Sequence, residues 1–281
     1  MARSCGALAY GVTKPMVVNP MRYLKIFLYQ TRTSLLLLLQ YRFEFFVGFL
    51  MAGFWALSAL IPLFVVFQNK QAIAGWNWPE TLLVAGWFNL LKGLQSTLIR
   101  PSMQQAVEHV RKGTLDFFLI KPVDAQFLIS TARFDFRELN GFLVGCIILA
   151  VGLWNLSFTP SLINLMIALF LLICGALILY AIWIMVMSLA FIFIRVDNLT
   201  HLFSSIYDVA RWPSTIYHGV FAFVFTFVLP FAVMTTFPTL ALLDKLGFHQ
   251  VLGATVGTAI FMILCRWVWK SCLLRYTGAG G

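Results

Sequence analysis

The residues able to do chemistry are sparse in this 281-residue chain, and they do not form a catalytic pattern. The four histidines, His109, His201, His218 and His249, are scattered, whereas a metal site draws its ligands from close, regular spacings. The five cysteines (Cys5, Cys146, Cys174, Cys265 and Cys272) show no CxxC spacing, and three lie in apolar runs. They read as small buried hydrophobes rather than disulfide partners or metal ligands. No GxxxxGK[ST] loop is present to cradle a nucleotide, and no HExxH, GxSxG or clustered carboxylate pair offers a hydrolytic centre. What remains is recognition chemistry, concentrated between Arg100 and Asp124. Pro101 suits a first helical turn. Met103, Ala106, Val107 and Val110 then recur at i, i+3, i+4 and i+7, while Gln104, Glu108, Arg111 and Lys112 take the other side. Gly113 is placed to end the helix, and Lys121-Pro122 stops the apolar stretch Leu115–Ile120 that follows. The spacing predicts a short amphipathic helix whose polar face either meets a soluble partner or is simply solvated.

The elements that hold this helix are set by composition. The chain is 61% hydrophobic and 11% charged, against about 45–50% and about 25% in ordinary soluble domains, and its mean hydropathy is +0.89. Aromatics make up 16%, with 28 Phe among them. So much apolar surface cannot be hidden inside a soluble globule of this size, so the surrounding solvent is lipid. A cytosolic enzyme, a secreted disulfide scaffold and a disordered tail are thereby excluded. A spanning helix needs about 20 apolar residues, and six stretches qualify: Phe45–Phe67, Thr81–Ile99 (interrupted by Lys92), Leu139–Leu156, Leu162–Ile194, Pro213–Leu229 and Val251–Val268. The fourth is too long for one straight crossing and is expected to tilt or project.

Sidedness follows from the cations. With both termini in the cytoplasm, eighteen of the 20 Lys and Arg residues fall inside, leaving only Lys70 and Lys245 outside. The same distribution argues against nucleic acid as the reason for the net charge of +10, because the basic residues are divided among membrane-flanking segments rather than gathered in one groove. Lys92, which interrupts the second span, is expected to snorkel towards water at the inner end. Spans with so few ionisable groups disfavour a proton-coupled carrier and an intramembrane enzyme.

The flanks add detail. Residues 1–20 hold Arg3, Lys14, Pro15 and Pro20 without an apolar core, and are expected to be a cytosolic lead rather than a cleavable signal. In residues 21–44, Arg22, Lys25, Tyr29 and Arg32 recur on one helical face, opposite Leu24, Ile26, Phe27, Leu28 and Leu35–Leu39. This predicts a helix lying in the cytoplasmic interface, ending at a break marked by Arg42 and Glu44; a plain extension of the first span is the alternative. On the outer side Trp76 and Trp78 fit an aromatic belt. Pro230, Pro238 and the apolar run between them lie too near the fifth span for another crossing, so a re-entrant pair over 230–248 is expected, with Asp244 and Lys245 at its tip. Gly141–Gly145 and Gly253–Gly257 have GxxxG spacing, which allows close helix approach in the third and sixth spans.

The residues also resemble a family. The run Arg111-Lys112-Gly113-Thr114-Leu115-Asp116-Phe117-Phe118-Leu119-Ile120-Lys121-Pro122-Val123-Asp124 is similar to the cytoplasmic-loop pattern of ATP-binding-cassette permeases of the ABC-2 type, in the branch described as ABC-2 family transporter proteins. Weaker matches are Arg195-Val196-Asp197, Pro213-Ser214-Thr215-Ile216-Tyr217, Leu229-Pro230-Phe231-Ala232 and Leu274-Arg275-Tyr276-Thr277, so the resemblance covers about Tyr23 to Thr277. It implies an all-α membrane protein in the bacterial inner membrane, with a six-span domain over 45–272, a coupling loop over 100–137 and a cytoplasmic tail over 273–281. The helix near Arg100–Gly113 would be the coupling helix, meeting an ATPase subunit through Gln104, Gln105, Glu108, Arg111, Lys112, Gly113 and Asp116. The 21–44 helix would be a connecting helix using Arg22, Lys25 and Arg32, and Pro230, Phe231 and Pro238 would belong to an outer gate. The implied assembly has two copies of the ATPase, which hold ATP and magnesium, and a second permease half, identical or paralogous, with no cofactor in this chain itself. The path would run between the halves, lined mainly by spans one, two and five, and exporter substrates across the family are too varied to select one. An autonomous channel or secondary carrier, or a structural subunit of a membrane complex, are the competing readings.

Overall fold

A computed structural model describes residues 20–40, 42–69, 72–156, 159–191 and 197–276. The expectations for residues 1–19, the side chain of Arg42, Lys70, Arg195, Val196 and the tail from Thr277 onward lie outside the described residues. The helices in chain order are α1 (Pro20–Gln40), α2 (Arg42–Asn69), α3 (Trp78–Leu94), α4 (Arg100–Arg111), α5 (Asp116–Leu119), α6 (Ala125–Ser130), α7 (Asn140–Trp154), α8 (Leu162–Ser188), α9 (Asp197–Tyr207), α10 (Gly219–Phe223), α11 (Phe237–Leu242) and α12 (Phe248–Leu273). Among the described residues five helices are long and apolar enough to cross a membrane, and one bent pair, if it is a single span, would make six.

The second span and the amphipathic helix, read as separate elements, are one rod. Residues 78–111 run on as a single 34-residue helix, with a π turn over Gln95–Ile99 joining α3 to α4. Pro101 does not interrupt it, because it follows the π turn and the Thr97 carbonyl it cannot bond accepts the Asp135 N–H instead. At the other end, the Glu80 side chain accepts the Asn77 N–H at 3.0 Å, satisfying one of the orphan donors of the helix start. Glu80 is buried and also receives Lys245 Nζ at 2.5 Å, while Asn164 Nδ2 donates to Asp244 at 3.3 Å. These two bonds tie the starts of α3 and α8 to one corner, called here the Trp76 end; α4 lies at the opposite end.

The α3 rod packs most intimately on α7. A Cβ built on Gly93 would lie 2.0 Å from Phe142 N, and one on Gly145 would lie 2.4 Å from Leu90 N. Only glycine lets the two backbones come this close. The second GxxxG pair behaves differently: nothing lies within 4 Å of a Cβ at Gly253 or Gly257, so their α12 face is open rather than packed within this chain. On its other side α3 meets α8, where Leu91, Ile178, Ile182, Trp183 and Met187 form a fully or nearly buried centre.

The expected fifth span, Pro213–Leu229, overlaps the first half of a bent helical pair, and the chain leading into it is not a plain helix. α9 leaves the α4 end, with Phe203 set edge-on to Trp183 at 5.5 Å. The chain then climbs along α3: Asp208 meets Lys92 at 2.7 Å, while Trp76 Nε1 donates to Thr215 Oγ1 at 2.7 Å. At about 1.5 Å per residue, Lys92 is about 21 Å along α3 from Trp78. Residues 208–215 therefore cover most of that height as 3-10 turns and extended chain. Trp212-Pro213 explains the break, since the residue before proline is driven out of the α region. Pro213 thus lies nearer the Trp76 end of α3 than Lys92 does. The following helical pair, Gly219–Val228 and Ala232–Leu242, is bent by 71°. Its Pro230 bend lies at mid-height, because Phe231 packs on Tyr207 at 6.0 Å and Tyr207 stacks on Phe88 at 5.3 Å. α11 then returns to the Trp76 end at Asp244 and Lys245. The bent pair, with the geometry of a broken span or a re-entrant loop, thus covers Gly219–Leu242, against the re-entrant pair expected over 230–248.

These contacts make a prediction. Gly93→Ala and Gly145→Ala should each cost about 3 kcal/mol, at the upper end of overpacking penalties because the obstructing atoms are backbone. Gly257→Ala, in open space, should be neutral or stabilising by up to about 1 kcal/mol. Thermal unfolding of the purified chain in detergent separates the two outcomes; equal midpoints for all three variants would contradict the packing.

Candidate functional site

Two features stand out, one at the far end of the α3–α4 rod and one along its length. At the end, α4 presents Gln104, Glu108, Arg111 and Lys112 as exposed residues while Met103, Ala106 and Val107 are buried. Glu108 and Lys112 pair at 2.6 Å across one turn. Gly113 closes the helix at φ +67°, with the Thr114 N–H bonded to the His109 carbonyl at 2.9 Å. Gln105 is half-buried beside His109 at 3.4 Å, so it faces the fold more than its neighbours do. Asp116 starts the single turn of α5, whose Phe117 and, just beyond, Ile120 stand 65% and 74% exposed. Periodicity missed these two apolar side chains, because the stretch Leu115–Ile120 was read only as an apolar run; its brevity before Lys121-Pro122 was the available signal.

The loop behind α4 is fastened on several sides. Asp124 caps α6 by accepting the Phe127 N–H at 3.1 Å, and it forms an ion pair with Arg266 of α12. Arg266 Nη1 also donates to Gln126 Oε1 at 2.7 Å, and Gln126 Nε2 donates to Tyr180 OH of α8 at 3.3 Å. Ser102 of α4 donates to the Arg133 carbonyl at 2.5 Å, and the Thr97 carbonyl in the π turn accepts the Asp135 N–H at 2.9 Å. α1 covers this loop: Tyr23 packs edge-on to Phe127 at 4.7 Å, and Ser34 Oγ accepts the Phe134 N–H at 3.3 Å. Arg22, Lys25 and Arg32 lie on its exposed side. Burial pushes the Asp124 carboxyl up, but the Arg266 hydrogen bond, the Phe127 N–H and the Arg266 charge outweigh it and hold Asp124 below the ordinary carboxylate range. Sequence reasoning did not pair Asp124 with Arg266, because 142 residues separate them.

Along the rod, a cavity of about 910 Å³ opens between α2, α3, the start of α7 and residues 208–212. Its wall on the α2 side is apolar through Met51, Trp55, Leu60 and Leu63. Lys92 and Asp208 sit in its floor, with Arg211 Nη2 3.6 Å from the same Asp208 oxygen. Both cations also lie over the Phe88 ring, at 5.4 and 5.7 Å from its centroid. Lys92 therefore has a carboxylate partner that the composition of its own span did not reveal. Across α3, Arg137 grips Asp135 at 2.8 and 2.9 Å and Glu44 at 2.8 Å. The hairpin residues named from the sequence lie apart from this cavity: Phe231 and Pro238 are buried in the helical core, and Pro230 forms the bend. No three His, Cys, Asp or Glu side chains converge as metal ligands would among the described residues.

A helical body with five or six apolar spans and a half-polar cavity between them defines a multi-pass membrane protein. A family model for the ABC-2 family transporter proteins matches residues 54–280, and the chain belongs to that family. The match begins within α2, so α1, which the sequence resemblance had included, lies outside it. No curated protein and no solved structure matches the chain.

The loop anchor is testable through its charge. A carboxyl depressed in the folded state contributes stability above its unfolded value, about 3.9, and loses it as pH falls through the lower folded value. Hydrogen exchange of the α6 amides should stay slow from neutral pH down to about 4 and accelerate below that. At neutral pH, Asp124→Asn and Arg266→Gln should each speed exchange, and the double variant should be no worse than the worse single one. Additive effects would show that the pair is not coupled.

Proposed function

We propose that this chain is the permease half of an ATP-driven exporter, lying in the bacterial cytoplasmic membrane with α4 on the cytoplasmic side. The observation that carries the reading is the unbroken rod from the cavity floor at Phe88 and Lys92 to the exposed face of Gln104, Glu108, Arg111 and Lys112. A partner that grips α4 moves α3 with it, and so changes the shape of the cavity. ATP and magnesium are held by that partner, of which two copies serve two permease halves, identical or paralogous. Glu108 and Lys112 offer paired charge, Arg111 a cation, and Phe117 and Ile120 the apolar anchor that a soluble subunit would bury. The exposed face of α1 with Arg22, Lys25 and Arg32 lies over the same loop and serves as the connecting helix, close to anionic headgroups. The cavity is the path of transport: its α2 and α3 walls belong to the expected spans one and two, while residues 208–212 immediately precede the expected fifth span. Pro230, Phe231 and Pro238, at the bend and in the helical core rather than in the cavity lining, are assigned to the outer gate.

Copurification of the chain with an ATPase subunit tests this directly. Phe117→Ala should weaken the association about tenfold, as losing one apolar anchor does. Gly113→Pro should uncouple more severely, since it removes the Gly113 N–H bond to the Val110 carbonyl at 3.2 Å and cannot adopt φ +67°. Glu108→Arg should lower ATP hydrolysis by the complex while the chain still reaches the membrane. A complex that hydrolyses ATP unchanged in all three variants would overturn the coupling role of α4.

A further inference from the structure

The charges around the cavity are not distributed evenly, and their arrangement selects a ligand. On the 208–212 side, Lys92 and Arg211 share the single carboxylate of Asp208, which leaves a surplus of positive charge. On the α2–α7 side the balance is reversed. Arg137 is held by Asp135 and Glu44, and Glu138 adds a further carboxylate with no side-chain partner among the described residues. Beside it Asn140, 6% exposed, has an Oδ1 without a hydrogen-bond partner. The cavity floor thus carries a cationic flank and an anionic flank on either side of α3.

The long wall is apolar. Glu44 and Leu63 both line the cavity on α2 and lie about 28 Å apart along the helix axis, close to the ~30 Å of a hydrocarbon core. Between them Met51 and Trp55 present open apolar surface. A volume of about 910 Å³ is at the upper end of the ~300–1,000 Å³ usual for small-molecule clefts.

We infer that this cavity binds a zwitterionic amphiphile, its anionic group against Lys92 and Arg211, its cationic group against Glu138 and Glu44, and its chain along Met51, Trp55 and Leu63 of α2. This rests on the cavity being the transport path and names the substrate class that path would take. A purely anionic head would leave the carboxylate flank facing like charge, and a purely cationic head would do the same at the other flank; either forfeits the pairing that one flank offers.

The test uses the purified full chain in maltoside micelles, without any ATPase. A fluorescent decylphosphocholine is bound and followed by anisotropy, with unlabelled decylphosphocholine, decyl phosphate and decyltrimethylammonium as competitors. The phosphocholine should compete at least about tenfold better than either singly charged head. Arg211→Gln should erase its advantage over decyltrimethylammonium, and Glu138→Gln its advantage over decyl phosphate. Glu138 is exposed, so the second variant keeps the test valid if the first fails to fold. Equal competition by all three heads, unchanged selectivity in Glu138→Gln, or loss of binding because two chains close the groove on each other would each overturn the inference. ATPase copurification is a separate readout: a complex that forms and hydrolyses ATP while the heads compete equally sinks the ligand assignment and leaves the permease reading standing, whereas selective binding with no ATPase partner does the opposite.

Discussion

Where Gly93 of α3 meets Gly141 and Phe142 of α7, there is no room for a methyl group. That contact fixes the height and rotation of α3, and with them the places of Phe88, Asn89, Lys92 and Ser96 along the cavity. In lipid, helices gain nothing from excluding apolar surface from one another, so backbone proximity and its dispersion contacts replace the hydrophobic effect as the force of association. The same glycine row brings the start of α7 against α3, which is why Arg137, Glu138 and Asn140 reach the cavity. Packing between two helices therefore sets the electrostatics of a site that neither helix forms alone.

Charges within a membrane domain are tolerated when they are paired or wet, and this chain uses both devices. Lys92 and Asp208 are each partly exposed to the cavity while bonded to one another. The aromatic Phe88 ring beneath Lys92 and Arg211 lets two cations converge on one carboxylate, an arrangement whose repulsion is offset by the ring as well as by Asp208. Glu80 is the contrasting case: nearly dry, it is satisfied by Lys245 and by the Asn77 N–H, and so acts as a fastening rather than a binding group.

Much of this could be read from composition and period. The apolar runs placed α2, α7, α8 and α12 within a few residues, and the 3.6-residue pattern from Met103 to Val110 gave the buried and exposed faces of α4 correctly. The fifth stretch was only partly legible, because hydropathy counts apolar residues without regard to backbone form. Residues 208–216 run as short turns and extended chain, and the aromatic-rich helix after Gly219 is bent by 71° about Pro230, which a count of apolar residues does not register. The ion pairs that define the site were hidden for another reason. Lys92 with Asp208 and Asp124 with Arg266 are separated by 116 and 142 residues, and only the fold brings them together. Of the two glycine pairs the sequence spacing was identical; what differs is that Gly141 and Gly145 have a partner helix and Gly253 and Gly257 have none among the described residues.

The loop from Lys112 to Leu139 bears on how force would pass through the molecule. It returns to the α3–α4 rod at Thr97 and Ser102, and it is bound to α8 through Tyr180 and to α12 through Arg266. A push on α4 thus cannot be absorbed by slack in the loop; it is shared between the cavity wall and α12. The π turn at Gln95–Ile99 sits where the Asp135 N–H crosses to the rod, and π turns are places where a helix accommodates local shifts. On the proposed reading, a rigid lever with one compliant turn beside the charged floor is what coupling requires: displacement at Glu108 and Lys112 reaches Lys92 and Asp208 before it is dissipated, and the ion pair most exposed to it is the one that faces the ligand.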